Sequence, residues 1–356
     1  MNIHGEVRIM VGELNRRKFV KTVGAAGLLG FSGNALAQQQ RLTWFAGGTG
    51  GTYFPLSNQF KTIIENNTDY TVQVQSTGAS VENVGGLAQG NADFALIQND
   101  VAYFAYNGTG IEEFQGTRIQ SLRGVATLYP ETIHIVTLQG NNVETLEDLQ
   151  GATINTGDLG SGTQINALQI LESVGIQQND FTEQNTGFSQ AADQLRNGDI
   201  DAAFVVGGWP VGAIEELATT NDIAFVNISG EARQSIRQEA EWFADDTIPP
   251  ETYSGQNEPV QTVAVQAMIA TTQDQPNAAV RGVTESIFNN TGQLSLKQQF
   301  INRESALDGM SIPLHPAARE IFGPATTQGG GGNQTGGNQS GGNQTGGNDS
   351  GGNDGS

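Results

Sequence analysis

The chain has no cysteine and only three histidines among its 356 residues. Disulfides, thiolate chemistry and lipid attachment at an N-terminal cysteine are therefore closed to it. His4, His134 and His315 leave too few ligands for a histidine-based zinc site. Cations are also scarce: 16 Lys and Arg stand against 37 Asp and Glu, a formal net charge of −21. An acidic excess of this size repels nucleic acid and anionic membrane, and it strains a compact fold by self-repulsion. Molar salt shortens the Debye length to about 3 Å and relieves that strain. The composition thus reads as a halophile's protein, with an ordinary acidic exported protein as the alternative.

A phosphate-gripping lysine is missing too. The stretch "WFAGGTGGTYFPLS", Trp44 to Ser57, is rich in glycine, but a P-loop follows its last glycine with Lys and Ser or Thr so that the ammonium reaches the phosphates. Here Gly51 is followed by Thr52 and Tyr53. The nearest lysine, Lys61, lies about 15 Å further along if the segment is helical. The sequence also lacks a long apolar run near its start. The stretch 23–31 is far shorter than the ~20 residues of a membrane-spanning helix.

What stands there instead is Arg16, Arg17, Phe19 and Lys21, then a mild apolar run, then Ala35-Leu36-Ala37. This resembles a twin-arginine export signal occupying residues 1–37, cleaved after Ala37, with Met10 as an alternative start. It implies an extracytoplasmic protein, exported already folded. Removing the five basic and two acidic residues of 1–37 from 16 and 37 leaves about −24, with Lys61 and Lys297 as the remaining lysines. From Thr326 the chain becomes a Gly/Asn/Gln-rich tail that cannot bury a core. Residues 326–356 carry N-x-S/T sequons at Asn333, Asn338, Asn343 and Asn348.

The segment between suits two α/β lobes better than one core. "SVENVGGLAQGNADFALIQND", from Ser80, is echoed by "SQAADQLRNGDIDAAFVVGG", from Ser189: Leu87, Gly90 and Asp93 match Leu195, Gly198 and Asp201. Each copy reads as a serine N-cap, a short helix, a glycine stop and a strand. Apolar segments at 42–46, 70–75, 94–98, 133–138, 152–156, 202–206 and 263–270 alternate with helical stretches, which predicts parallel sheets wound by crossover helices. The last of these is expected to carry the chain back to the first lobe.

In such sheets ligands collect where strands end and helices begin. Four turns join small residues and hydroxyls to an expected helix start: 48–53, 77–80, 160–163 and 188–190. Helix N-termini offer unpaired N–H groups and about half a positive charge, so several aimed at one cleft hold a carboxylate without lysine or arginine. Each turn taken singly also reads as a plain capping turn.

The ordered motifs "TGGTYFPLS", "STGASVENVGGLAQGNADFALIQND", "LYPETIHIV", "TLEDLQGATINTGDLGSGT", "NGDIDAAFVVGGWPVGAIEEL" and "IPLHPAARE" resemble TAXI-type solute-binding subunits of TRAP transporters. The resemblance runs over nearly all of 41–322. It implies an α/β fold of the periplasmic-binding-protein type II class: two lobes of mixed or parallel sheet with flanking helices, joined by a hinge. Lobe 1 would be 41–128 with 256–325, lobe 2 would be 129–255, and "LYPE" would lie near the first crossing.

It further implies a monomer without cofactor or metal that captures a small carboxylate or amino acid, glutamate-like, and hands it to a TRAP membrane permease subunit. By the same resemblance Thr49, Gly51, Thr52, Tyr53, Ser80 and Gln98 form the first lobe's ligand wall. Tyr129 and Glu131 sit near the crossing, Ser161, Gly162 and Thr163 belong to the second lobe, and Trp209 is at the rim. Glu131 or Asp100 would meet an ammonium. Ala79 and Ala317 stand where the family pattern has glycine, and either would narrow the pocket or change nothing. Two other readings compete: an enzyme on the same fold, which would need a positioned acid and base, and a surface adhesion module suggested by the tail.

Overall fold

In a computed structural model, which describes residues 40–323, the elements run β1 (Arg41–Phe45), α1 (Tyr53–Asn67), β2 (Thr71–Gln75), α2 (Ser80–Ala88), β3 (Phe94–Gln98), α3 (Asn99–Asn107) and β4 (Leu122–Leu138). They continue with β5 (Thr153–Asn155), α4 (Gly162–Ser173), β6 (Thr182–Gln184), α5 (Phe188–Asn197), β7 (Ala202–Gly207), α6 (Gly212–Thr220), β8 (Ile223–Phe225) and α7 (Gly230–Glu239). The chain then adds β9 (Ala244–Ile248), β10 (Val260–Thr272), α8 (Asn277–Asn289) and α9 (Pro316–Phe322). The twin-arginine segment, its cleavage point after Ala37 and the sequon-bearing tail lie outside the described residues. Among the described residues no helix is long and apolar enough to cross a membrane.

The strands form one mixed sheet in the order β2-β1-β3-β10-β4-β7-β5-β6, with β8 beside β4 and β9 beside β10. Parallel pairs occupy both ends: β1 with β2 and β3, and β5 with β6 and β7. The parallel expectation fails in the middle, where β10 runs antiparallel to β3, β4 and β9, and β4 antiparallel to β7. Antiparallel crossing strands let the chain pass from one parallel set to the other and return. The fold is thus α/β with a mixed sheet and flanking helices, as the type II class requires, and β10 does carry the chain back to β3.

Side-chain alternation shows why the strands read as continuous apolar runs. Successive residues point to opposite faces, and here both faces are covered by helices. Leu96 and Ile269 pack with α1 and α8, while Ala95, Ile97, Met268 and Ala270 pack with α2 and α3. In the other half Phe204 and Val206 join α4 and α7, whereas Ala203 and Val205 join α5 and α6. Helix α1 shows the matching helical period, burying Leu56, Phe60, Ile63 and Ile64. Each such side chain is worth about 1.5–3 kcal/mol when removed from water.

The internal echo is structural. Gly90 and Gly198 take left-handed φ of 73° and 74° after α2 and α5. Asp93 Oδ2 accepts from the Thr43 N–H at 2.7 Å, and Asp201 Oδ2 accepts from the Thr153 N–H at 2.7 Å. The expected serine caps are corrected: Ala79 and Gly187 hold the N-cap positions, and Ser80 and Ser189 lie within the helices. The Ser80 hydroxyl instead accepts the Gln98 N–H at 3.1 Å, tying the start of α2 to the end of β3.

Candidate functional site

Five strand-to-helix junctions meet at one cavity. The turn after β1 opens α1 at Tyr53, the turn after β2 opens α2 at Ser80, and β3 passes through Gln98 directly into α3. From the other half, the turns after β5 and β6 open α4 at Gly162 and α5 at Phe188. All five contribute to the lining: Thr52 and Tyr53, Ala79 and Ser80, Gln98, Ser161 to Thr163, and Gly187 with Phe188. The first N–H groups of each helix lack intrahelical acceptors, so the cavity wall is rich in backbone donors and positive dipole ends.

Local chemistry fixes these turns. Asn83, fully buried on α2, donates to the Ala46 and Leu96 carbonyls at 2.6 and 2.7 Å and accepts from Thr77 Oγ1. One side chain thus ties the ends of β1 and β3 to the turn before α2. Ser161 caps α4, its hydroxyl accepting from the Gln164 N–H. Ala79 adopts φ 69°, ψ −139°, a backbone region that glycine alone enters without strain.

Contacts cross the cavity from half to half. Gln98 Nε2 donates to Asn166 Oδ1 at 3.0 Å, and Asn166 Nδ2 donates to Asp100 Oδ2 at 2.7 Å. The Ala213 N–H reaches the Gly50 carbonyl at 3.1 Å, and Thr52 Oγ1 the Gly208 carbonyl at 3.2 Å. Two glycines sit where a side chain would displace a neighbour's side-chain end. A Cβ on Gly162 would fall 1.6 Å from Gln98 Oε1, and one on Gly50 would fall 2.4 Å from Ser189 Oγ.

Of the residues expected at the site, Gly51, Thr52, Tyr53, Ser80, Gln98, Glu131, Ser161, Gly162 and Thr163 line the cavity, and Thr49, Tyr129 and Trp209 do not. Thr49 is exposed at the tip of its turn. Tyr129 is buried with its ring against Gly208. Trp209 turns its ring edge-on to Phe300, with centroids 5.9 Å apart. Ala317 is buried in the core beneath α9, so it does not narrow the pocket.

Sequence reasoning passed over Asp158 and Gly187, which line the cavity, and Lys297, which sits close behind it. Asp158 lies inside the quoted "GDLGSGT" turn, and Lys297 is one of two lysines in the body of an acidic chain; both signals were present.

The lining holds no lysine or arginine, and its ionisable groups are Glu131, Asp158 and Tyr53. Glu131 projects from the middle of β4 and is 3% exposed; its Oε1 has no hydrogen-bond partner. The hydroxyls of Tyr53 and Tyr129 flank it closely enough to interact, yet neither makes a well-formed hydrogen bond. Burial pushes the Glu131 carboxyl up to about 8, against the Tyr129 hydroxyl, the Lys297 ammonium and the Tyr53 hydroxyl, which favour its ionised form. Burial likewise raises Asp100 to about 6 and lowers Lys297 to about 8. The Lys297 ammonium is committed elsewhere, donating to the carbonyls of Trp209 and Pro210.

The space is small. The cavity volume is about 60 Å³. At roughly 10–15 Å³ per water, that is room for about four to six waters.

The model of the NMT1-like family matches residues 45–323. Among solved structures, the chain is similar to the alkanesulfonate-binding protein SsuA from Xanthomonas axonopodis pv. citri bound to MOPS, at 15% identity over 79% of this chain and 82% of that one, with a TM-score of 0.46. It is similar to PhnD1 from Prochlorococcus marinus in complex with methylphosphonate at 10% identity over 80% and 96%, with a TM-score of 0.49. An ancestral arginine-binding protein bound to arginine matches at 14% identity over 73% and 96%, with a TM-score of 0.44.

Proposed function

The chain belongs to the NMT1-like family, and on that premise we propose that it is an extracytoplasmic solute-binding protein. It captures a small carboxylate or amino acid, glutamate-like, and delivers it to a membrane permease of the TRAP type as a TAXI-type binding subunit. One observation carries the reading: five helix N-termini from both halves of the sheet open onto a single cavity whose lining contains no cationic side chain. Such a wall grips an anionic group with fixed backbone donors and dipoles. Gly51, Thr52, Tyr53, Ser80, Gln98, Ser161, Gly162 and Thr163 supply that wall, and Glu131 closes its floor.

On this reading the two halves are lobes, 41–128 with 256–325 and 129–255, and β4 and β10 form the hinge. Binding closes the cleft, and the contacts that cross it are those of the closed state. The test is calorimetric titration of the full chain with glutamate, glutamine and simple carboxylates in molar salt. Saturable binding of one of these, with compaction in solution scattering, is the expected result. No heat with any small acid or amino acid overturns the reading.

A further inference from the structure

We propose that Lys297 is a positioning residue that latches the two halves together: its ammonium, carried by the half built on β1, β2 and β3, holds the turn that opens α6 in the other. The consequence for a bound solute rests on the solute-binding reading; the latch itself does not.

Lys297 is one of two lysines beyond residue 37 of a strongly acidic chain, and it is 4% exposed. A buried ammonium is costly unless its donors are taken up. Its backbone is unusual as well, with φ at 57°, a left-handed value that few residues with a side chain adopt. The Lys297 carbonyl accepts from the Phe300 and Ile301 N–H groups at 3.0 and 3.2 Å, and Leu294 and Ile301 on either side are anchored in the core of the first half.

The side chain leaves that half. Its Nζ donates to the Trp209 carbonyl at 2.5 Å and to that of Pro210 at 3.5 Å, in the short segment between β7 and α6. No ion pair competes for it among the described residues. Burial lowers the group to about 8, so it keeps its charge at neutral pH, and Glu131 on β4 and Glu215 on α6 favour that charged form.

Gly208 makes room for the reach. A Cβ there would fall 2.8 Å from Lys297 Cε and 2.8 Å from the Tyr129 ring. The first half holds the same segment at three more points. Thr52 Oγ1 donates to the Gly208 carbonyl, the Gly50 carbonyl accepts from the Ala213 N–H, and Phe300 packs on Trp209. Of these four holds Lys297 supplies the charge, and charge-assisted hydrogen bonds are roughly twice as strong as neutral ones.

Gly50 and Thr52 line the cavity, whereas Lys297 does not. It therefore acts on a solute through closure and not through contact, since apparent affinity scales with the closed fraction. Every partner in the latch belongs to the chain, so the latch works with or without solute.

The chain has no cysteine, so spin labels attached at Thr62→Cys on α1 and Glu216→Cys on α6, both exposed, report one distance between the halves. In the full, solute-free chain in molar salt at pH 7 the expected result is a dominant short distance. Lys297→Met is expected to cut the ratio of closed to open molecules about tenfold or more. Lys297→Gln, which keeps a neutral donor and loses the charge, should fall between the two, and it carries the test if Lys297→Met does not fold. An unchanged distribution in the folded variants, or a wild-type chain that is open throughout, overturns the latch. With glutamate as the probe, the variant is expected to bind several-fold more weakly through faster dissociation; equal dissociation rates overturn the role in retention. A chain that latches as described yet binds neither glutamate nor any other small acid loses the solute-binding reading and keeps the latch.

Discussion

Gln98 and Gly162 meet across the cavity so closely that a methyl group on Gly162 would lie 1.6 Å from the Gln98 amide oxygen. Gly162 opens α4 from one half, and Gln98 ends β3 in the other. A methyl group there would have to displace the end of the Gln98 side chain. Gly162→Ala is expected to fold with nearly unchanged melting temperature and to lose tenfold or more in solute affinity, because an approach blocked by about 2 Å forfeits the contacts around it. Removing the obstacle with Gln98→Ala in the same chain should restore compaction on binding. Scattering with and without solute on the single and double variants checks both; compaction in Gly162→Ala alone would contradict it.

Ala79 makes the opposite point, a side chain where the backbone wants none. Its φ of 69° and ψ of −139° carry a strain of order 1–3 kcal/mol for a residue with a Cβ. Ala79→Gly is expected to raise stability by about 1 kcal/mol, after the extra entropy glycine returns to the unfolded chain. Denaturant unfolding in constant salt measures it. A loss of stability would mean the turn before α2 does not hold this conformation.

Stability should fall between pH 6.5 and 8 in the solute-free protein. Glu131 has a folded value of about 8, above its ordinary 4.5. Its stabilising contribution is therefore complete below 4.5 and is lost as pH rises through 8. His134 is held down at about 4, from 6.5, by burial, so its contribution changes only below 6.5. Lys297, lowered to about 8 from 10.5, acts with the opposite sign from there upward. The window from 6.5 to 8 thus belongs to Glu131 and is worth about 2 kcal/mol at 1.36 kcal/mol per unit. Glu131→Gln should flatten it, and an equal slope in that variant would exclude Glu131 as the source.

On the solute-binding reading, two tryptophans would report closure of the cleft. Trp242 packs edge-on against Phe104, with centroids 4.8 Å apart, and Trp209 against Phe300 at 5.9 Å. Each pair joins an aromatic from one half of the sheet to one from the other. Trp44 is fully buried between Phe60 and Phe94 inside a single half. Saturating solute should change the emission of the wild type and leave the double variant Trp209→Phe, Trp242→Phe nearly silent. A full response from Trp44 alone would place the motion elsewhere.

The sequence carried the periodic and punctuated parts of this structure well. The Leu-Gly-Asp echo predicted two equivalent units, and Asp93 and Asp201 make the same hydrogen bond to their first-strand neighbours, Thr43 and Thr153. The four small-residue turns predicted helix starts at strand ends, and all four share the cavity; the fifth junction, where β3 runs through Gln98 straight into α3, has no such turn to announce it. What stayed hidden was set by tertiary contact. The segment 133–138 is only the end of β4, whose earlier part contains Gly124 and Pro130, residues that discourage a strand reading. Strands β6 and β8 have three residues each, too few to show a period. Glu131 is buried among groups brought together from β4, α1 and α3, with Tyr129, Tyr53 and Asp100 acting on its carboxyl, and no local pattern encodes that. Trp209 packs edge-on against Phe300, far along the chain, a contact no local motif encodes.

Strands β4 and β10 stay hydrogen-bonded through the crossing between the halves, with Thr132 opposite Ala264, Glu131 opposite Val265 and Pro130 opposite Gln266, and a register shift follows at once between Gln266 and Met268. The carboxyl on the cavity floor is thus mounted on the axle about which the jaws would turn. On the solute-binding reading, a solute that grips Glu131 would hold the pivot as well as the walls, so its dissociation and the flexing of the crossing strands would become one event, tying the lifetime of the complex to the stiffness of that ladder.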